Sequence, residues 1–141
     1  MSNILHATCV AIGGRGVLIT GPSGSGKSDL ALRLIDRGAE LVSDDGTVVA
    51  GRNGRLIACA GPNIAGQIEA RGIGILTMPY RIEVPLALCI ALDAIPQRMP
   101  DEPLPIRIID GLPLPWLRVA PFEASAAFKV EQALLVYGLS V

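Results

Sequence analysis

The stretch GVLITGPSGSGKSDLALRLIDRG, Gly16 to Gly38, decides the fold. Gly16 to Thr20 is a short apolar run that reads as a strand. Gly21, Pro22, Ser23, Gly24, Ser25, Gly26, Lys27 and Ser28 then fit GxxxxGK[ST] in full. Beyond them Leu30, Ala31, Leu34 and Ile35 recur at helical spacing. Asp29 lies in the first turn, where the helix dipole favours an acid, and Gly38 closes the helix after Arg37.

Strand, glycine loop and helix in that order have a specific chemistry. Glycines remove side chains, so consecutive backbone N–H groups can turn onto a polyphosphate at a helix N-terminus. Lys27 is expected to reach the terminal phosphates and the Ser28 hydroxyl to ligate Mg²⁺, so ATP and Mg²⁺ are the expected ligands. A glycine-rich turn without a ligand would not require both flanking elements.

Upstream, Leu5 to Ile12 is apolar, with His6 and Thr8 on one alternating face. Gly13 and Gly14 supply a turn, which predicts a hairpin into the Gly16–Thr20 strand. Downstream, three apolar strands end in aspartate: Leu41 and Val42 lead to Asp44 and Asp45, Leu88–Leu92 to Asp93, and Ile106–Ile109 to Asp110. Asp93 and Asp110 read as strand exits. The Asp44–Asp45 pair differs because it directly follows the loop's helix. A right-handed crossover is expected to put its strand beside the Gly16–Thr20 strand, with the carboxylates at the phosphate edge. Two acids there can divide the work, one facing the metal and one the nucleophile, and DDG can also be a turn.

Composition narrows the class. The 141 residues, 50% apolar and 18% charged, suit one domain with a sizeable core. A net charge of −1, pI near 5.8 and 4% aromatics exclude a basic stacking surface, so nucleic acid is not expected. Cys9, Cys59 and Cys89 are spaced as reduced, buried thiols, which suggests a cytoplasm. His6 is the only histidine, so no zinc site of ordinary spacing can form. The longest apolar run, Val84 to Leu92, contains Pro85 and falls short of the roughly 20 residues of a membrane helix.

The run from His6 through GVLITGPSGSGKS to LVSDDG, with IEARGIGIL at Ile68 to Leu76, resembles the C-terminal catalytic domain of HPr kinase/phosphorylase. Glu69, Arg71, Gly72, Gly74 and Ile75 stand in that family's E-x-R-G-[LI]-G-I signature. The resemblance implies an α/β P-loop domain with a mixed central sheet, similar to the HPr kinase/phosphoenolpyruvate carboxykinase-like fold. It implies ATP- and Mg²⁺-dependent phosphorylation of a serine on an HPr-like phosphocarrier. Asp44 would be the general base, Lys27 would bind the β- and γ-phosphates, and Ser28, Asp45 and Glu69 would hold the metal. His6 would stand with the catalytic group. The glycines after Glu69 are expected to permit close backbone approach. Read without the resemblance, Glu69 and Arg71 form a surface ion pair on a short helix ended by Gly72.

The chain also departs from that family. It begins almost at the histidine, so a single kinase domain over residues 1–141, without the family's N-terminal domain, is expected, as in alphaproteobacterial forms. Where the family carries an arginine-bearing loop, Ala120 to Ser125 has no arginine, which makes weak or absent phosphorylase activity an expectation. Arg81 and Arg118 are candidate substitutes. The prolines among residues 96–105 read as a loop, and Glu123 to Tyr137 as a helix with Ala127, Phe128, Val130, Leu134 and Leu135 on its apolar side. The family's hexamers make a homo-oligomer a further expectation. A small-molecule P-loop kinase and a nucleotide-binding regulator without kinase activity stay open beside the kinase reading.

Overall fold

The computed structural model describes residues 2–141. Its strands are β1 (Ser2–Leu5), β2 (Ala7–Ile12), β3 (Arg15–Thr20), β4 (Glu40–Ser43), β5 (Thr47–Arg52), β6 (Arg55–Ala60), β7 (Gln67–Ala70), β8 (Gly74–Thr77), β9 (Glu83–Ala91), β10 (Ile106–Ile109) and β11 (Leu112–Arg118). Two helices, α1 (Lys27–Asp36) and α2 (Ala126–Tyr137), complete the described residues.

One nine-stranded sheet runs β1-β5-β6-β9-β3-β2-β4, with β11 parallel to β9 and β10 antiparallel to β11. It is mixed, as expected, because β3 pairs parallel with β9 and antiparallel with β2. Alternation along β3 explains the two cores. Val17 and Ile19 pack with Leu30, Leu34, Val130 and Leu134 of the helices, while Leu18 faces Val42, Val49, Leu56 and Leu114 on the other side of the sheet. Each face has its own apolar cover, so β3 is continuously apolar from Val17 to Ile19. Cys9 and Cys89 are buried thiols and Cys59 is half-buried; all three are free.

Three expectations need correction. β4 does not lie beside β3; it pairs with β2. The two-residue turn at Gly13 and Gly14 commits β2 to β3, so the crossover strand takes the far side of β2. Being antiparallel to β2, β4 still runs with β3 and ends at the same edge. Leu5–Ile12 is not one strand: it bends at His6, β1 leaving to pair with β5 and β2 with β3 and β4. On α2, Phe128 and Leu135 are exposed, and the buried side is Ala126, Ala127, Val130, Ala133 and Leu134.

The other elements follow the sequence. α1 ends where Gly38 takes φ 110°. Asp110 and Gly111 turn β10 into β11, and Asp110 accepts a hydrogen bond from the Gly51 N–H at 2.7 Å. No helix among the described residues is long and apolar enough to cross a membrane.

Candidate active site

The topology gathers the site at one sheet edge. β3 and β4 both end there, and β2 begins there, so the loop after Thr20, the Asp44–Asp45 turn and His6 become neighbours. The carboxyl ends of such strands are the usual ligand edge of α/β sheets. A cavity of about 540 Å³ opens at this edge, and Lys27, Ser28, Asp44, Asp45, Glu69 and Arg71 are among its lining residues.

The loop's geometry depends on two glycines. A Cβ on Gly21 would stand 2.5 Å from Ser25 Oγ. Gly26 caps α1 at φ 98°, a left-handed conformation that a side chain disfavours. The resulting curve presents successive amides, and the helix N-terminus adds partial positive charge. Lys27 is buried to 8% exposure, and its Nζ donates to the carbonyls of Gly21 at 2.9 Å and Pro22 at 3.2 Å, which holds the ammonium inside the curve.

Asp44 is the most tightly held carboxylate of the site. Its Oδ1 accepts from Ser28 Oγ at 2.7 Å and Thr8 Oγ1 at 2.9 Å, and its Oδ2 accepts from the Glu69 N–H at 3.0 Å. Helix start, central hairpin and β7 are thereby joined through one side chain. Thr8 is fully buried, and sequence reasoning did not assign it a role. A polar residue within an otherwise apolar strand was the available signal.

Asp45 points the other way. The Ser43–Gly46 turn, closed by Ser43 Oγ donating to the Gly46 carbonyl at 2.6 Å, puts Asp45 at φ 53°. Its exposed carboxylate lies 3.9 Å from His6 Nδ1, beyond hydrogen-bonding distance but within reach of a protonated ring. The bend that ends β1 is what aims His6 at this carboxylate rather than into the sheet.

Glu69 and Arg71 lie on a β7–β8 hairpin, not a short helix. Gly72 at φ 88° and Gly74 at φ 124° make its turn, and a Cβ on either would meet nothing within 4 Å. The signature glycines therefore serve turn geometry, and no protein atom crowds them. The hairpin still delivers Glu69 and Arg71 to the cavity. Neither substitute arginine faces it: Arg81 pairs with Glu40 at 3.2 Å, and Arg118 pairs with Asp93 at 3.1 Å and covers the Trp116 ring at 4.9 Å. Arg71 is the only arginine among the described residues that line this cavity.

The donor set fits Mg²⁺. No group of three or more His, Cys, Asp or Glu side chains converges among the described residues. One hydroxyl, Ser28, with one or two carboxylates from Asp44, Asp45 and Glu69, matches a cation that keeps several waters and takes oxygens from its phosphate substrate.

A model of the family described as "HPr Serine kinase C-terminal domain" matches residues 1–81. The HPr kinase/phosphorylase of Clostridium tetani is 45% identical over 75 residues, which are 53% of this chain and 25% of that protein. That of Limosilactobacillus reuteri is 47% identical over 73 residues, 51% of this chain and 23% of the relative. The chain thus matches about a quarter of the length of these curated relatives. A solved structure titled as the Hpr(Ser) kinase/phosphatase from Coxiella burnetii superposes with a TM-score of 0.81 and 30% identity over 94% of both chains. With the family match spanning every element that builds the cavity's polar floor, this chain belongs to the HPr serine kinase C-terminal domain family.

Proposed function

We propose that the chain is an ATP- and Mg²⁺-dependent kinase that transfers the γ-phosphoryl group to a serine of an HPr-like phosphocarrier protein. The observation that carries this reading is the Ser28–Asp44 hydrogen bond at 2.7 Å inside the cavity lined by Lys27. It joins a phosphate-binding loop to a carboxylate at the position where the loop's metal would be held.

Binding and orientation fall to the loop amides and Lys27, which fix the β- and γ-phosphates so that attack can occur in line. Ser28, Asp45 and Glu69 are the proposed metal-holding residues. Mg²⁺, when bound, supplies neutralisation of charge on the transferring group. Asp44 accepts the proton of the incoming serine hydroxyl, as the family resemblance implies, and Arg71 offers the guanidinium that the Ala120–Ser125 loop lacks. Weak or absent phosphorylase activity follows from the missing loop arginine.

One observation favours a second division of roles. Asp44 is already committed to two hydroxyls and an amide, whereas Asp45 is exposed beside His6 on the side open to a protein substrate. In that arrangement Asp44 assists Ser28 at the metal, and Asp45 with His6 takes the proton.

The test is transfer of γ-labelled phosphate from Mg·ATP to a purified HPr-like carrier, beside Lys27→Ala and Asp44→Asn. Label on the carrier serine, lost in both variants, is expected. ATP binding without label on any carrier would instead fit a nucleotide-gated regulator.

A further inference from the structure

The segment after β11 lies against the phosphate-binding loop. Phe122 lines the same cavity as Lys27 and Ser28, and a Cβ on Gly26 would stand 3.1 Å from its ring. Gly26 is therefore confined twice, by its left-handed backbone and by the aromatic ring above it. Phe122 is nevertheless 73% exposed, so most of its ring surface is uncovered.

The backbone that carries the ring is held from α1. Arg33 donates to the carbonyls of Pro121 and Glu123, the residues on either side of Phe122. Arg33 is itself steadied by Asp29 at 3.1 Å. An arginine that grips both flanking carbonyls fixes the backbone from which the Phe122 ring projects. No other aromatic residue lines this cavity among the described residues.

The placement relative to the reacting end matters. At 3.6 residues per turn, Arg33 lies about 140° around the helix axis from Ser28. Asp44 approaches α1 at Ser28, and Phe122 is held at Gly26 and Arg33, on another flank. Lys27 takes the β- and γ-phosphates and Ser28 the metal beside them, so the nucleoside must leave the cradle away from Asp44. Leu32, half-buried on the next turn of α1, adds apolar surface to the cavity wall.

We propose that Phe122 is the base-stacking platform of the nucleotide site, its backbone anchored by Arg33 and its ring over Gly26, so that the base of ATP lies against it. The proposal rests on the nucleotide reading above. A π-face is what any nucleobase can use, and stacking on it needs no hydrogen-bond code. The Ala120–Ser125 segment, which lacks the family's arginine, thus contributes to binding the nucleoside and not to charge neutralisation.

Calorimetric titration of the whole chain with Mg·ATP and with Mg·tripolyphosphate, for the native protein, Phe122→Ala and Phe122→Tyr, tests this. Phe122→Ala is expected to weaken ATP about 5- to 150-fold while leaving tripolyphosphate within about twofold, and Phe122→Tyr to retain ATP binding. Equal loss of both ligands in Phe122→Ala, or no loss of either, overturns the proposal. Native protein that binds tripolyphosphate as tightly as ATP overturns the stacking platform alone. Native protein that binds neither overturns the nucleotide reading and the platform with it.

Discussion

Ser28 donates its hydroxyl hydrogen to Asp44 Oδ1 at 2.7 Å, joining the first turn of α1 to the end of β4 across 16 residues of sequence. The two groups come together because β3 and β4 run in the same direction with β2 between them. The hydroxyl proposed to hold the metal and a carboxylate are thus fixed against each other within the fold.

The Asp44–Asp45 pair can be separated by experiment. Asp44→Asn keeps the shape but removes charge, and a proton-accepting Asp44 predicts a fall in kcat of about 10²- to 10⁴-fold with Mg²⁺ affinity little changed. Asp45→Asn is then expected to raise the Mg²⁺ concentration needed for half-maximal rate. Steady-state rates across a Mg²⁺ series decide it. The opposite pattern, with Asp44→Asn shifting the Mg²⁺ requirement and Asp45→Asn lowering kcat, assigns the proton to Asp45 and His6.

Thr8 supports this carboxylate from within the sheet. Thr8→Val is nearly isosteric but removes the hydroxyl that Asp44 Oδ1 accepts from at 2.9 Å. Leaving a buried acceptor one donor short costs about 1–3 kcal/mol, or about 3–10 °C in Tm for a domain of this size. Thr8→Ser should restore most of both stability and rate. Thermal melts of the three proteins check this, and an unchanged Tm in Thr8→Val would remove Thr8 from the account.

Much of the site was legible because its residues are consecutive. GPSGSGKS and DDG each carry their chemistry within a few positions, and hydrophobic periodicity supplies the strand before and the helix after. Partners set by register were not legible. Whether β4 lies beside β3 or beyond β2 is decided by the β2–β3 hairpin, which occupies that edge of β3, and apolar alternation is the same in both arrangements. The β7–β8 hairpin was hidden for a related reason: QIEARGIG is polar and glycine-rich, and its turn is visible only in the positive φ of Gly72 and Gly74. Phe122 belongs to a segment far from the loop in sequence, and only Arg33 reaching across from α1 explains its place.

Arg71 should matter to transfer more than to binding. Among the described residues it forms no ion pair, and it faces the cavity that Lys27 lines. A guanidinium directed at developing charge is worth about 10²- to 10³-fold in kcat, so Arg71→Ala should lose that much while ATP affinity changes only severalfold. Arg81→Ala and Arg118→Ala, whose partners are Glu40 and Asp93 on the exposed surface, should stay near the native rate. Transfer rates for the three variants distinguish the arginines, and a loss confined to Arg118→Ala would overturn the assignment.

Stability should decline on the alkaline side. Burial in the apolar core raises the Cys9 thiol far above its ordinary value, and neighbouring Cys89 and Cys59 add to the shift. Burial raises Cys89 as well, against an opposing hydrogen bond with Thr20. Below the ordinary thiol range, folded and unfolded chains are both protonated and the contribution is intact. Above about pH 8.5 the unfolded chain ionises while the folded core cannot, so the unfolded state binds fewer protons and stability falls as pH rises. The slope approaches about 1.4 kcal/mol per pH unit for each thiol. Denaturant melts between about pH 7 and pH 10 should show this decline, and Cys9→Ala should make it shallower despite a small packing cost. A slope equal to that of the native chain would mean that Cys9 ionises alike in both states.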